Sequence, residues 1–207
     1  GSAQENLGTI AALTERIGHI TGELRAFSRK ADTSISPASL KDCLDGALLL
    51  VAPRARRQGI VLQRPPEGQN YQVLANRIRL EQVLVNLLQN AMEALAGQAN
   101  GRIIVALQDL GATVQIYVSD NGPGLSAEAR AHLFTPFYTT KPEGLGLGLV
   151  ICRDIVSEFG GDLIAAGPAD AAFPAPHAPG GGAMFILTLR KAPGLRDAAK
   201  LHHDPRP

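Results

Sequence analysis

The chain has 207 residues, of which 45% are hydrophobic and 19% charged, with a formal net charge of +1. This composition predicts a globular protein with one sizeable core and a smaller accessory element. The basic residues are scattered except for the cluster Arg54, Arg56 and Arg57, which argues against binding to nucleic acid or directly to a membrane. Cys43 and Cys152 lie in apolar stretches and are expected to be buried thiols in a reducing compartment.

The amino-terminal part is predicted to be a helix with a coiled-coil seam. Residues 1–4 are typical of a cloning scar, and residues 5–32 form the proposed helical unit. Apolar residues recur there in steps of three and four, at Leu7, Ile10, Leu13, Ile17, Ile20, Leu24 and Phe27. Such a stripe requires a partner helix. A linker rich in Ser, Thr and Asp, residues 31–37, is expected to end the unit.

The remaining chain alternates between helical and strand patterns. Helices are predicted at 38–57, 77–96 and 147–159, with Pro53 expected to kink or shorten the first. Strands are predicted at 60–63, 71–74, 102–108, 113–119, 162–166 and 184–190. The third and fourth strands are predicted to form a hairpin. This order favours an α+β two-layer sandwich in which helices cover one face of a mixed sheet.

Two asparagines on the helix predicted at 77–96 are candidate ligands of a metal ion. Asn86 and Asn90 are four residues apart and therefore project from one face. Apolar neighbours place both amides at the edge of the core, where carbonyl oxygens could hold a Mg²⁺ ion that also bridges phosphates. Solvated polar positions are the alternative interpretation for this pair taken alone.

Residues 120–148 are too rich in Gly, Pro and Thr, and too long, to be a mere connector. Asp120 follows a strand and precedes Asn-Gly-Pro-Gly, so its carboxylate is placed to accept a hydrogen bond from the exocyclic amine of adenine. An ordinary turn explains this motif equally well in isolation. Residues 134–141 place aromatic side chains beside Lys141, and residues 144–149 form a glycine-rich helix start suited to an anion.

The order and spacing of these four motifs resemble the N, G1, F and G2 boxes of sensor histidine kinases. The resemblance covers nearly all of residues 33–190, including the glycine-rich turn at 180–185. Residues 5–32 are similar to the second helix of that family's dimerisation and phosphotransfer hairpin. The sequence at 13–16 and 24–27 is most similar to the branch of C4-dicarboxylate and nitrogen-regulation sensors.

The resemblance implies a Bergerat-type ATP-binding catalytic domain at residues 33–191, with ATP and Mg²⁺ as cofactors. Residues 192–207 are expected to be a disordered tail. It implies that Asn90 ligates Mg²⁺, that Asn86 and Lys141 contact phosphates, and that Asp120 holds adenine. The implied nucleotide-binding residues are Asn86, Asn90, Asp120, Gly122, Gly124, Lys141, Gly144, Leu145, Gly146, Leu147, Gly148 and Leu149. Asn76 stands where relatives commonly carry Asp and is expected to cap the following helix.

Position 86 distinguishes ATP hydrolysis from phosphoryl transfer to a protein. ATPases of the superfamily carry a water-activating glutamate four residues before the metal-binding asparagine, and this chain has Asn86 there. Because an amide cannot act as a general base, the expected reaction is transfer of the γ-phosphoryl group to a histidine and then to a response-regulator aspartate. An ATPase of the same superfamily and a regulatory module that binds nucleotide without transferring phosphate are the alternatives.

The phospho-accepting histidine is expected on a helix that precedes residues 5–32. His19, His132 and His177 lack its sequence context, so the chain by itself is not expected to autophosphorylate. The implied partners are the histidine-bearing hairpin of a homodimeric kinase and the receiver domain of a response regulator. The implied location is the cytoplasm, with the full-length protein anchored in the inner membrane.

Overall fold

A computed structural model describes residues 34–141, 144–166 and 181–193. The predicted amino-terminal helix, most of the segment between the last two strands and nearly all of the tail lie outside these ranges. The elements, in chain order, are β1 (Ser36–Ser39), α1 (Leu40–Arg57), β2 (Val61–Gln63), β3 (Gln72–Ala75), α2 (Arg77–Ala94), β4 (Arg102–Asp109), β5 (Thr113–Asp120), α3 (Ala127–His132), α4 (Gly148–Glu158), β6 (Asp162–Ala166) and β7 (Met184–Arg190).

The strands form one large and one small sheet. The five-stranded sheet has the order β2-β4-β5-β7-β6, and the two-stranded sheet pairs β1 with β3. β2 and β4 run parallel, whereas β4–β5, β5–β7 and β6–β7 are antiparallel. The larger sheet is therefore mixed, as predicted.

The helices α1, α2 and α4 pack together over the large sheet. α2 lies centrally, in contact with α1, α4 and β5. Its apolar stripe is fully buried, with 0% exposure at Leu80, Val83, Leu84, Leu87 and Leu88. Burial of each such side chain contributes about 1.5–3 kcal/mol, which fixes the rotation of α2 about its axis. The two-layer α+β sandwich is confirmed, and the same rotation sets where the polar face of α2 points.

Both long helices in the first half of the domain begin at side-chain caps. Ser39 Oγ accepts a hydrogen bond from Asp42 N at 3.2 Å, and Asn76 Oδ1 accepts one from Arg79 N at 3.2 Å. The predicted capping role of Asn76 is confirmed. Pro53 neither ends nor shortens α1, which continues to Arg57.

Two expectations about local structure were wrong. The predicted linker and the first predicted helical residues contain β1, so α1 begins at Leu40 rather than at residue 38. β1 is short and carries Pro37, which a strand at the edge of a sheet tolerates. The predicted loop contains the helix α3, which Ser126 caps through Ala129 N at 3.0 Å. β2 and β3 follow one another in the chain but join different sheets.

Both cysteines are free and buried, as predicted. Burial raises the pKa of the Cys43 thiol to about 11 and that of Cys152 to about 12, so neither is a reactive thiolate at neutral pH. Among the helices that the structure describes, none combines the length and the apolar character needed to cross a membrane.

Candidate nucleotide-binding site

The face of α2 that turns away from the core carries Asn86, Asn90 and, one turn later, Ala94. Four residues span about 6 Å along a helix and turn about 40° beyond a full turn, so these positions form a row of roughly 12 Å that is inclined to the helix axis. Asn86 and Asn90 are both half-buried, as predicted for the edge of the core. Asn90 Nδ2 donates to Asn86 Oδ1 at 2.9 Å, which fixes the orientation of both amides. The carbonyl oxygen of Asn90 is thereby left facing out of the helix.

Asp120 ends β5 and lies beside the last turn of α2. Asp120 is buried, with 3% of its surface exposed. Asp120 Oδ1 accepts hydrogen bonds from Gly122 N at 2.8 Å and from Ala183 N at 3.3 Å. Burial raises the pKa of this carboxyl group, and the two backbone hydrogen bonds oppose the shift. The result is a buried acceptor whose position is set entirely by backbone.

Glycines make room for this arrangement. A Cβ atom on Gly182 would lie 2.0 Å from the carbonyl oxygen of Asp120, and one on Gly122 would lie 3.2 Å from the carbonyl oxygen of Ala94. Gly124 has a φ of 78°, and its Cβ would lie 3.0 Å from Gly181 O. The turn after β5 therefore packs directly on the end of α2 and on the start of β7.

Asn121 stabilises this turn from outside the site. Its Oδ1 accepts from Arg102 N at 2.6 Å, and its Nδ2 donates to Asn100 O at 3.0 Å. These bonds tie the residue after Asp120 to the connection between α2 and β4. The side chain of Asn121 thus has a structural role in the turn.

The start of α4 lies against Asn86. A Cβ atom on Gly148, the first residue of α4, would be 2.8 Å from Asn86 Nδ2. The residue before the helix, Leu147, provides no side-chain cap for the first turn. Unsatisfied N–H groups at a helix start favour an anion. Gly146 has a φ of 67°, and a Cβ there would lie 2.5 Å from Tyr138 O, so the approach to the helix is possible only for glycine.

The three predicted leucines of the glycine-rich motif are anchors. Leu147 is buried, and Leu145 and Leu149 are partly buried against the main core. This packing holds the backbone of the motif in place, and the predicted contact of these leucines with nucleotide stays a prediction. Gly144 lies at the upstream end, where its Cβ would be 2.9 Å from Thr139 Oγ1.

Lys141 reaches α2 from the segment that follows α3. Its ammonium donates to Asn90 Oδ1 at 2.9 Å and to Glu93 Oε2. Glu93 Oε1 also lies 3.9 Å from Arg54 Nη1. Sequence reasoning missed Glu93, because an acidic residue three positions after Asn90 looks like any solvated helix position. The spacing of three residues on one helix face was the available signal.

The contact with Lys141 is also a test of whether Asn90 suits a metal ion. Asn90 Oδ1 faces a cationic group, and amide oxygens are ligands that Mg²⁺ accepts. Within the described ranges no cluster of three or more His, Cys, Asp or Glu side chains could hold a metal by itself. The residues present therefore fit a cation that takes most of its ligands from phosphates and water.

α4 is clamped to α2 at its far end. Arg79 on α2 pairs with Glu158 on α4 through two hydrogen bonds, one of them 3.1 Å between Nη2 and Oε1. The pairs 79–158 and 86–148 run in opposite directions along the chain, so the two helices are antiparallel. The position of Gly148 against Asn86 is thus supported from the other end of the helix pair.

Comparison with known proteins identifies the family of this chain. The family model described as "Histidine kinase-, DNA gyrase B-, and HSP90-like ATPase" matches residues 75–193. The C4-dicarboxylate transport sensor protein DctB of Rhizobium meliloti (strain 1021) is 47% identical over 92% of this chain. This chain spans 29% of the length of that relative.

Two solved structures of the histidine kinase ThkA are also similar. Its catalytic domain superposes with a TM-score of 0.64 and 31% identity, covering 76% of this chain and 95% of that domain. ThkA in complex with the response regulator protein TrrA gives a TM-score of 0.68 and 26% identity over 93% of this chain and 52% of that chain. The predicted resemblance, including its branch, is confirmed. The chain belongs to the histidine kinase-, DNA gyrase B- and HSP90-like ATPase family, as the ATP-binding catalytic domain of a histidine kinase.

Proposed function

We propose that this domain binds ATP with Mg²⁺ and transfers the γ-phosphoryl group to a histidine of its own kinase, from which a response-regulator aspartate receives it. The observation that carries the proposal is the line of Asn86, Asn90 and Ala94 on α2, which joins the buried Asp120 to the start of α4. An adenine-accepting carboxylate at one end and a helix start at the other suit a nucleoside triphosphate.

The proposed roles follow from what each group offers. Asp120 accepts a hydrogen bond from the adenine amine. Two backbone donors to its Oδ1 hold the carboxylate in place for this contact. Gly122 and Gly124 let backbone pass close to the base. Asn86 uses its carbonyl oxygen to orient Asn90, which leaves its amide hydrogens for a phosphate. The N–H groups at the start of α4, with Gly144, Gly146 and Gly148 shaping the approach, face the phosphates.

Asn90 would hold Mg²⁺ through its carbonyl oxygen. The metal supplies charge neutralisation for the phosphates and helps to orient the γ-phosphoryl group. Lys141 would add a second positive charge there. In this scheme the protein supplies position and electrostatics, and the nucleophile comes from outside the domain.

Transfer is favoured over hydrolysis by the side chains around Asn86 and Asn90. An amide at position 86 cannot remove a proton from water. Glu93 follows Asn90 by three residues on α2. The water-activating glutamate of the superfamily's ATPases precedes the metal-binding asparagine by four residues, so Glu93 does not occupy that position.

The partners are proposed from the wider resemblance. We infer that residues 5–32 are the second helix of a dimerisation hairpin and that the preceding helix carries the acceptor histidine. A receiver domain is the proposed recipient of the phosphoryl group, as the complex of ThkA with the response regulator TrrA supports for that kinase. The proposed location is the cytoplasmic side of an inner membrane.

The test is phosphotransfer in a mixed system. The chain is incubated with radiolabelled ATP and Mg²⁺, with and without a separately made hairpin that carries the histidine. We expect acid-labile label on the hairpin and none on this chain. Asn90→Ala should remove most of the Mg²⁺-dependent gain in ATP affinity, measured by calorimetry, while circular dichroism shows an intact fold.

Two outcomes would contradict the proposal. Steady phosphate release without label on any hairpin would favour the ATPase alternative. Tight ATP binding without hydrolysis and without transfer to any hairpin would favour a regulatory module. Acid-labile label on the chain alone that disappears in His19→Ala would overturn the placement of the acceptor on another helix.

A further inference from the structure

Lys141 joins two segments that are distant in sequence. Its ammonium contacts Asn90 and Glu93, which lie 51 and 48 positions earlier in the chain. Both acceptors are on the last turns of α2, whereas Lys141 lies between α3 and α4. The contact therefore holds the segment after α3 on the polar face of α2.

The backbone at Lys141 is held separately from its side chain. Thr139 Oγ1 accepts a hydrogen bond from Lys141 N at 3.0 Å, and Lys141 O accepts one from Gly144 N at 3.3 Å. With this turn fixed, the ammonium can be redistributed among nearby acceptors by side-chain torsions. A change of partner does not require the turn to unfold.

Glu93 is well placed to lose this partner. Its side chain is 26% exposed and that of Lys141 is 43% exposed, so water and salt screen their attraction. Pairs of this kind contribute about 1 kcal/mol or less. Arg54 stays near Glu93 Oε1 and compensates its charge when the lysine leaves.

Nucleotide phosphates would compete for the same ammonium. A metal ion on Asn90 Oδ1 would also repel a lysine that donates to that oxygen. We propose that Glu93 is a latch residue, which holds Lys141 on α2 in the nucleotide-free protein and releases it to the phosphates when Mg²⁺ and ATP bind. This inference rests on the proposed function, since it takes ATP as the ligand.

The first test measures ATP affinity by calorimetry, in EDTA and in Mg²⁺. Glu93→Gln keeps the size of the side chain and removes its charge. We expect it to increase ATP affinity in EDTA about fivefold, because Lys141 no longer has to leave a carboxylate. The additional gain that Mg²⁺ provides should shrink, because displacement of the lysine is part of that gain.

Glu93→Gln also removes a negative charge near the phosphates, which could by itself raise ATP affinity. Repeating the substitution in a Lys141→Met protein separates this effect from release of the lysine. In Lys141→Met, Glu93→Gln relieves repulsion but has no lysine to release. We expect its effect there to be smaller by about threefold. Glu67→Gln makes the same change of net charge at an exposed position outside the site and should leave ATP affinity unchanged. Equal effects of Glu93→Gln in both backgrounds would overturn the latch.

A second measurement needs no nucleotide. Acylation of Lys141 by a small amine-reactive ester is followed by mass spectrometry, with Lys191 in the same molecule as the reference. Two of the three N–H groups of the Lys141 ammonium have acceptors, and one acceptor is the charged Glu93 carboxylate. A neutral glutamine holds the ammonium more weakly, so Glu93→Gln should speed its labelling about threefold.

The two measurements separate this inference from the function on which it rests. Equal labelling of Lys141 in both proteins overturns the latch whether or not ATP binds. Faster labelling in the variant, together with no ATP binding by the unmodified chain, would refute the proposed function. It would also refute the competition between Glu93 and nucleotide phosphates for Lys141.

Discussion

The two ends of the site are built in different ways. Asp120 is buried and fixed by backbone N–H groups of Gly122 and Ala183. At the other end, Asn90 and Lys141 are positioned by contacts between side chains, and Lys141 is exposed. The adenine base keeps one shape throughout a reaction cycle, whereas the γ-phosphoryl group is transferred and the metal ion binds and dissociates. The difference teaches that the proposed adenine end is rigid while the proposed phosphate end is adjustable.

The largest expected effect comes from filling the space at the rigid end. Gly182→Ala would place a Cβ atom 2.0 Å from Asp120 O and 2.5 Å from Asp120 Oδ1. Because both neighbours are held by β5, we expect the free energy of unfolding to fall by about 3 kcal/mol. ATP affinity should fall roughly 100-fold, as measured by calorimetry.

Gly97→Ala is the matched control for that change. Gly97 has a φ of 75°, and no atom lies within 4 Å of the place that a Cβ atom would take, so alanine there costs backbone strain without a clash. We expect a loss of about 1 kcal/mol in stability and unchanged ATP affinity. Equal loss of ATP affinity in both variants would show that the Asp120 end is not specifically rigid.

Asp120→Asn should separate binding from stability. The amide keeps an oxygen for the two backbone donors but loses the charge proposed to accept from adenine, so we expect ATP affinity to fall about 10- to 100-fold. Discrimination against GTP should fall as well. Competition binding with both nucleotides checks this, and equal binding of ATP and GTP by the unmodified chain would contradict the role of Asp120.

The stability of the same variant should move in the opposite direction. Burial raises the folded-state pKa of Asp120, so the group favours folding while protonated, and this advantage is lost as the pH rises from about 4 through the raised pKa. We therefore expect nucleotide-free Asp120→Asn to be more stable than the unmodified chain at pH 7. The difference should vanish below about pH 4, which denaturant titrations at several pH values can measure.

The smallest expected effect concerns the clamp behind the phosphate end. Glu158→Gln weakens the pair with Arg79, and because Glu158 is about half exposed we expect a loss of about 0.5 kcal/mol in the free energy of unfolding. The hydrogen bond from Arg79 lowers the pKa of Glu158, so its contribution is present above the ordinary glutamate pKa and is lost as the pH falls through the lowered value.

The readouts for Glu158→Gln are chemical denaturation at pH 7 and at about pH 3. The variant should be less stable than the unmodified chain at pH 7, and the gap should close at the lower pH. ATP affinity should change little, since the core leucines also hold α4 on α2. A large loss of ATP affinity would mean that the phosphate end depends on this clamp more than on packing.

The sequence predicted the elements that have strong periodicity. The stripe of α2 and the alternation in β4 and β5 each require one face to be buried, so those elements and the α+β class follow from local pattern. β1 and α3 were missed because four and six residues are too few for a period to show. The partners of β2 and β3 depend on contacts between distant segments, which no local pattern encodes.

The same division applies to the site. Asn86, Asn90 and Asp120 could be predicted because the family motifs mark them and because polar residues beside a buried stripe need a reason. Glu93 was missed, since its partner Lys141 lies 48 residues later and only its spacing of three residues from Asn90 marks it in the sequence. The spatial constraint on Gly182 depends on the pairing of β5 with β7, and a glycine-rich turn alone does not reveal it.

α2 carries residues from both ends of the site, so its length sets the distance between them. Its rise fixes the interval between the position beside Gly122 and the position beside Gly148 at roughly 12 Å, whatever the loops around it do. Inserting one residue between Asn86 and Ala94 would rotate the two positions by a further angle of about 100°, to opposite sides of the helix, although every individual contact residue would remain in the sequence. Length along a single helix, as much as the chemistry of any side chain, thus decides which ligands can touch both ends.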